Sequence, residues 1–275
     1  MLAAAAAYGQ RGDADTDLFG EGLMIFENLG RRTAEFHVAL ASSTRQPAFK
    51  PEALDEAYLL RLADVFSRQA HQTLEYLNAR LRDLPGDVQD RVNLILAAGD
   101  RLTRRFHELA VMKSRATRIR CHGDYHLGQV LRQGTDWILI DFEGEPLRPL
   151  SERQEKHSPL KDVAGMLRSL AYAAMHVLYS QDEALAQEQA GLTARLHAWQ
   201  EWTQAAFLHG YLDRAAGASF LPAREKHLEL LLTSFLLHKA FYETGYELNN
   251  RPDWLRIPLE GILTLVPDGR KENVS

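Results

Sequence analysis

The chain has one cysteine, Cys121, among 275 residues. A disulfide within the chain is therefore impossible. Long apolar runs are also lacking: no stretch approaches the roughly 18 residues that a membrane span needs. The start, Met1-Leu2-Ala3-Ala4-Ala5, has no basic segment and is too short for a secretory core. These features predict a cytoplasmic protein without a membrane partner. Basic excess is missing as well, since the formal net charge is −5. A protein that grips a phosphate backbone carries the opposite balance, so no nucleic acid partner is expected. What is present is ordinary for a globular chain: 45% apolar and 25% charged residues.

Periodicity is mostly helical. Leu29, Thr33, Phe36 and Leu40 fall on one helix face. Leu59, Leu62, Phe66, Ala70, Leu74, Leu77 and Leu81 make a longer stripe, interrupted by Pro85-Gly86. Val88, Val92, Ile95, Leu102, Phe106 and Leu109 form a third, and the stripes predict a helical hairpin. Ser158-Pro159 reads as an N-cap with proline at the first helical position, opening a helix to about Tyr179. Further helices are expected over 182–215, with a break near Gly191, and over 222–249. In the latter Leu228, Leu231, Phe235, Tyr242 and Tyr246 share a face, and Arg251-Pro252 ends it. Residues 1–20 read as irregular, a linker or the remnant of a preceding lobe. The β signal is confined to the middle: a short strand at 117–121, then a hairpin of 129–132 and 137–141 turning at Gly134.

The chemistry is concentrated around that hairpin. Asp124 follows Gly123 in a tight loop, Gln129 opens the first strand, and Asp141 closes the second. Strand ends joined by a hairpin can converge. One carboxylate can then accept the proton of a substrate hydroxyl while an amide oxygen and the second carboxylate hold magnesium. Phosphoryl transfer needs such positioning and charge neutralisation. Each residue alone is a common turn or strand-end residue; the joint spacing is the specific signal. His122 and His126 have a spacing that some zinc sites use, but no further Cys or His lies near enough to complete one. Cys121 reads as a small buried hydrophobe, and Arg118 and Arg120 as solvated or paired with acids.

His122-Gly123-Asp124-Tyr125-His126-Leu127-Gly128-Gln129-Val130-Leu131 resembles the catalytic loop of the aminoglycoside phosphotransferase and protein-kinase-like superfamily, most members of which have Asn in place of Gln129. Gln129, Tyr125 and the runs 141–150, 158–169, 29–35 and 246–254 are similar to maltokinases. The resemblance spans about residues 20–265. It implies a mainly α (α+β) fold: a protein-kinase-like C-terminal lobe over 21–275, helical, with a small hairpin carrying the catalytic loop (121–131) and the metal loop (140–146), and with acceptor-binding helices over 158–258. It implies that Asp124 is the catalytic base, that Gln129 and Asp141 bind magnesium, and that His122 and Asp162 support the loop. Tyr242, Glu243, Tyr246, Arg251 and Trp254 are the candidate sugar contacts. Core packing of Tyr242 and Tyr246 and a surface pair of Lys239 with Glu243 are the alternatives.

The implied reaction is ATP plus maltose, or a similar small sugar, giving the 1-phosphate, with trehalose synthase a possible fusion partner. Rival readings are a kinase of another hydroxyl acceptor and a non-catalytic module associated with trehalose synthase. A strand lysine and a phosphate-covering loop are not found: Lys50 lies in a polar stretch flanked by proline, and Phe19-Gly20-Glu21-Gly22 is too short. The expectation is a lobe that has little activity without a nucleotide-binding partner lobe.

Overall fold

The computed structural model describes residues 1–10, 22–42, 45–146, 148–179 and 189–266. It divides into two compact units, Met1–Leu54 with Arg115–Glu229, and Asp55–Ser114 with Leu230–Ser275.

The first unit contains α1 (Leu2–Gly9), α2 (Gly22–Ser42), α6 (Leu150–Arg153), α7 (Leu160–Tyr179) and α8 (Gln189–Arg214), with α9 (Glu225–Asn250) beginning in it. Its strands form two antiparallel pairs. β1 (Glu52–Ala53) pairs with β2 (Thr117–Arg118), and β3 (Val130–Gln133) pairs with β4 (Asp136–Leu139) in the register Gln133 opposite Asp136. The two-residue connection places Gly134 at φ 63°, a conformation that side chains disfavour. The expected hairpin is thus present, and β1–β2 is an addition. Arg118 pairs with Glu52 at 2.9 Å across that ladder.

Two expectations are corrected here. Residues 2–9 are helical rather than irregular: alanine is the best helix former, and Leu2, Ala5 and Tyr8 bury one side. The polar stretch after Gln10 lies outside the described residues, as do 182–188 of the expected 182–215 helix. The third apolar stripe is not one helix but two, α4 (Gly86–Ala97) and α5 (Gly99–Ala110), separated at Ala98.

α2 and α8 cross at backbone contact. A Cβ on Gly30 would collide with the Phe207 carbonyl oxygen, and one on Gly210 with that of Glu27. Only hydrogen fits at either position. α2 also carries the hairpin. Arg32 holds both carboxylate oxygens of Asp136 (2.6 and 2.9 Å), Asn28 donates to the Thr135 carbonyl (2.6 Å), and the Trp137 indole donates to the Ile25 carbonyl (2.8 Å).

The second unit holds α3 (Glu56–Arg80), α4, α5, most of α9, and α10 (Arg256–Leu263). Asp55 caps α3, its carboxylate accepting from the Tyr58 amide at 2.8 Å. Phe66 meets Phe106 and Phe235 edge-on at 5.5 and 5.4 Å and stacks on His238 at 4.1 Å. Among the described residues no helix is long and apolar enough to cross a membrane.

Candidate active site

The loop 121–126 is shaped by a helix that follows it in sequence. Asp162, in the first turn of α7, is buried and accepts the backbone N–H groups of His122 (2.7 Å) and Gly123 (3.0 Å). His37 of α2 donates from Nε2 to the same carboxylate (3.1 Å), and its Nδ1 lies 3.0 Å from the Tyr211 hydroxyl. A neutral imidazole protonated on Nε2 satisfies both contacts. Burial works to raise the Asp162 pKa. The hydrogen bonds from His37 and the Gly123 amide, with the charge of His122, outweigh it and hold the carboxyl below its ordinary value.

One face of α7 continues the support. Three residues beyond Asp162, Gly165 lies so close to the loop that a Cβ would stand 2.5 Å from the Tyr125 carbonyl oxygen. Seven beyond, Ser169 Oγ accepts the Leu127 amide at 3.0 Å. From the opposite side the Tyr125 hydroxyl meets Thr33 Oγ1 of α2 at 2.8 Å, and burial pushes its pKa above the usual range. The Tyr125 ring is buried, so Asp124 beside it stays at the surface of the loop, half-exposed.

The other side chains gather around the hairpin ends. Gln129 donates from Nε2 to Asp141 Oδ2 at 2.9 Å, and its carbonyl accepts the Ile140 amide at 3.0 Å. Asp141 takes φ 63°, the only positive φ at a non-glycine residue among those described. Strain of this kind persists where surrounding contacts impose it, and it recurs at functional sites. His122 contacts the Ile140 carbonyl through Nε2 (2.8 Å), and its ring packs with Phe142 (5.5 Å) and Tyr125 (5.2 Å). Gly123, at φ 90°, would place a Cβ 3.3 Å from the Gly144 Cα, so the backbones of the two loops run side by side.

Magnesium is the metal that such a site implies. With Gln129 Nε2 turned to Asp141, the amide oxygen and the remaining carboxylate oxygen are hard donors of the kind magnesium takes. Among the described residues no group of three or more His, Cys, Asp or Glu is assembled for a metal. Two protein ligands completed by phosphate oxygens and water are the usual arrangement for magnesium held with a nucleotide. Of the 122–126 pair, His122 Nε2 contacts the Ile140 carbonyl and His126 Nδ1 accepts the Gly128 amide at 3.0 Å, and among the described residues no further ligand joins them to make a zinc site. Cys121 Sγ sits 3.6 Å from the carbonyls of Ile119 and His157, and burial raises its pKa well above the ordinary thiol value.

The five expected sugar contacts lie in the second unit. Arg251 holds both oxygens of buried Glu247 (2.9 and 2.7 Å) and stacks over Tyr246 (5.4 Å) and Trp254 (4.9 Å). Tyr246 is 45% exposed, which counts against core packing, the alternative to a sugar contact at that position. Glu243 is buried rather than part of a surface pair, and Lys239 lies over the Tyr242 ring at 5.1 Å. Sequence reasoning missed His37. Its signal was a histidine four residues after Thr33 on a face otherwise destined for the core.

Residues 21–144 match the Phosphotransferase enzyme family, a stretch that takes in α2, the 121–126 loop and the hairpin through Asp141. Similar curated proteins are a glucosamine kinase of Streptacidiphilus jiangxiensis, 26% identical over 262 residues, covering 95% of this chain and 53% of that protein, and one of Mycolicibacterium smegmatis, 27% identical over 246 residues, covering 88% and 53%. Among solved structures, a glucosamine kinase in complex with glucosamine, ADP and inorganic phosphate superposes with TM-score 0.69 at 24% identity, covering 90% of this chain and 52% of that one. A second glucosamine kinase crystal form gives 0.72 at 22% identity, covering 96% and 54%. The structural likeness shows the fold. The family match and the sugar-kinase relatives support the kinase-like superfamily. The chain spans about half the length of the curated relatives it matches.

Proposed function

We propose that this chain carries the phosphoryl-transfer centre of an ATP-dependent sugar kinase. The observation that bears most weight is the direct contact of Gln129 with Asp141 at 2.9 Å, beside the loop that presents Asp124. In this reading Asp124 accepts the proton of the attacking hydroxyl. Gln129 and Asp141 hold magnesium, which neutralises charge on the nucleotide phosphates when bound. Asp162 and His122 keep the loop in shape, and ATP is the co-substrate.

The relatives named as glucosamine kinases make glucosamine the first acceptor to test. Glu243 is the carboxylate in the candidate set suited to an ammonium group, and Tyr242, Tyr246 and Trp254 offer faces for a pyranose ring, with Arg251 beside them. Maltose is the second acceptor. It rests on the resemblance of 141–150 and 246–254 to maltokinases, and an association with trehalose synthase rests on the same ground.

An acceptor panel of glucosamine, maltose and an aminoglycoside with magnesium and ATP, read as ADP formed, tests the reading. We expect slow turnover with one sugar, in keeping with a lobe of little activity by itself, and none in Asp124→Asn and Asp141→Asn. No turnover with any acceptor, together with no magnesium-dependent nucleotide binding, would remove it.

A further inference from the structure

The tip of the β3–β4 hairpin and the first turns of α2 enclose a groove that the reading above does not use. It holds about 510 Å³, within the range of small-molecule pockets. Its walls are apolar at Met24 and Ile25 and polar at Asn28, Arg31, Arg132 and Thr135. They are fixed in place. Trp137 donates to the Ile25 carbonyl, Asn28 to the Thr135 carbonyl, and Arg32 to both Asp136 oxygens, so helix and hairpin cannot part without breaking these four hydrogen bonds. The two arginines come from different elements and keep donors in reserve. Arg132 uses Nε on the Gly134 carbonyl at 2.9 Å, and Arg31 uses one terminal nitrogen on Glu27 at 2.8 Å. Among the described residues their remaining guanidinium nitrogens meet no acceptor. Glu27 also lines the groove, and both its oxygens are engaged: Oε1 by Arg31, Oε2 by the Tyr8 hydroxyl at 3.2 Å. Two cations against one neutralised carboxylate leave the groove positive.

An anion with three terminal oxygens suits two planar guanidinium forks better than a carboxylate with two. Beside the forks, Met24 is 66% exposed and offers an adaptable apolar contact that a bare ion would not cover. We propose that this groove is a ligand site apart from the phosphoryl-transfer centre, taking an organic phosphate monoester with an apolar body. The phosphate lies between Arg31 and Arg132, and the body lies against Met24 and Ile25. The Thr135 hydroxyl and the Asn28 side-chain oxygen face the polar link between them. The site does not rest on the phosphotransferase reading, since β3 carries the tip about 13 Å from Gln129. A ligand there bridges α2 to β3 and stiffens the hairpin whose base holds Gln129 and Asp141.

Phenyl phosphate is the probe, with inorganic phosphate and phenol as its two halves, each titrated into the ¹⁵N-labelled full chain. The Trp137 indole N–H, bonded to the Ile25 carbonyl, reports occupancy. Phenyl phosphate should give saturable shifts with a Kd on the order of 1 mM or tighter, and either half should bind about tenfold more weakly. Arg31→Gln and Arg132→Gln should each weaken binding about tenfold or more. Arg132→Lys keeps the charge without the fork and should recover only part. Glu27→Gln frees Arg31 and should tighten binding, while Asp141→Asn should bind as the native chain does. Both arginines are exposed, and thermal unfolding checks that their variants keep the fold. No shift at Trp137, native affinity in both arginine-to-glutamine variants, or inorganic phosphate bound as tightly as phenyl phosphate would each overturn the proposal. So would loss of binding in Asp141→Asn, which would move the ligand to the phosphoryl-transfer centre. A chain that binds phenyl phosphate here yet turns over no sugar would strike the function proposed above and leave this site standing.

Discussion

Asp162 makes three hydrogen bonds from a position 1% exposed: to the His122 and Gly123 amides and to His37. Asp162→Ala leaves two loop amides and a ring N–H facing a small cavity. Hydrogen bonds to a charged group are worth about 1.5–3 kcal/mol each, but they are not additive here, since the loop can relax toward water. Removing one partner of a buried charged network costs about 3–5 kcal/mol, and we expect a loss in that range. Asp162→Asn keeps one oxygen acceptor and sets an NH2 against a donor, so it should cost about half as much. Urea unfolding followed by tryptophan fluorescence at pH 7.5 measures both. Because the folded pKa lies below the ordinary value of 3.8, the charged form stabilises the fold above about pH 4, and this contribution disappears as pH falls through the folded pKa. The native chain should therefore have an acid limb below pH 4 that Asp162→Ala lacks. An alanine variant within about 1 kcal/mol of native, or an Asn variant less stable than the Ala variant, would refute this account of how the loop is held.

Other outcomes follow from the same coordinates. Gly165→Ala, whose Cβ would press on the Tyr125 carbonyl, should cost about 1–3 kcal/mol in urea unfolding and lower turnover further than its stability loss explains. Gly30→Ala brings its Cβ closer still to backbone, against Phe207 and Tyr211 of the facing helix α8, and should be the more damaging of the two, measured as loss of soluble folded protein. Burial lowers the His157 pKa from 6.5 to about 3, helped by the charge of Lys161 and opposed by that of Asp162. The unfolded chain therefore binds the extra proton below pH 6.5, and stability falls as pH drops from there toward 3. Residual exposure of 17% and Glu155 at 4.0 Å soften the effect, leaving about 1 kcal/mol lost between pH 6.5 and 5. His157→Gln should flatten that slope. Gln129→Asn should retain turnover with a raised magnesium requirement; a complete loss would contradict an oxygen-ligand role.

The 121–126 loop and the hairpin were legible as structure because they are local. Asp124, Gln129 and Asp141 lie within eighteen residues, and one turn of known type joins the strands. The β1–β2 pair was not, since two residues at 52–53 meet 117–118 and so short a strand has no alternation to read. The break at Ala98 escaped because Ile95 and Leu102 are seven apart, which keeps the apolar face in register across α4 and α5. His37 was hidden by its helix: periodicity marks a position as inward-facing but does not say that the inner partner is a carboxylate on α7. Helix α1 was overlooked because a run of alanines shows no apolar–polar periodicity and was read together with the polar stretch after it, although alanine needs only a few anchors such as Leu2 and Tyr8 to stay helical.

Helix α2 touches the 121–126 loop through Thr33, reaches it through His37 by way of Asp162, and holds the hairpin through Asn28 and Arg32, while Gly30 locks it against α8. A single rod thus indexes both the loop of Asp124 and the hairpin of Gln129 and Asp141. If it slides, these side chains travel together, and their spacing is kept at the expense of their common position. Mutations in the helix–helix crossing should therefore misplace the whole centre against its ligands before they pull the centre apart.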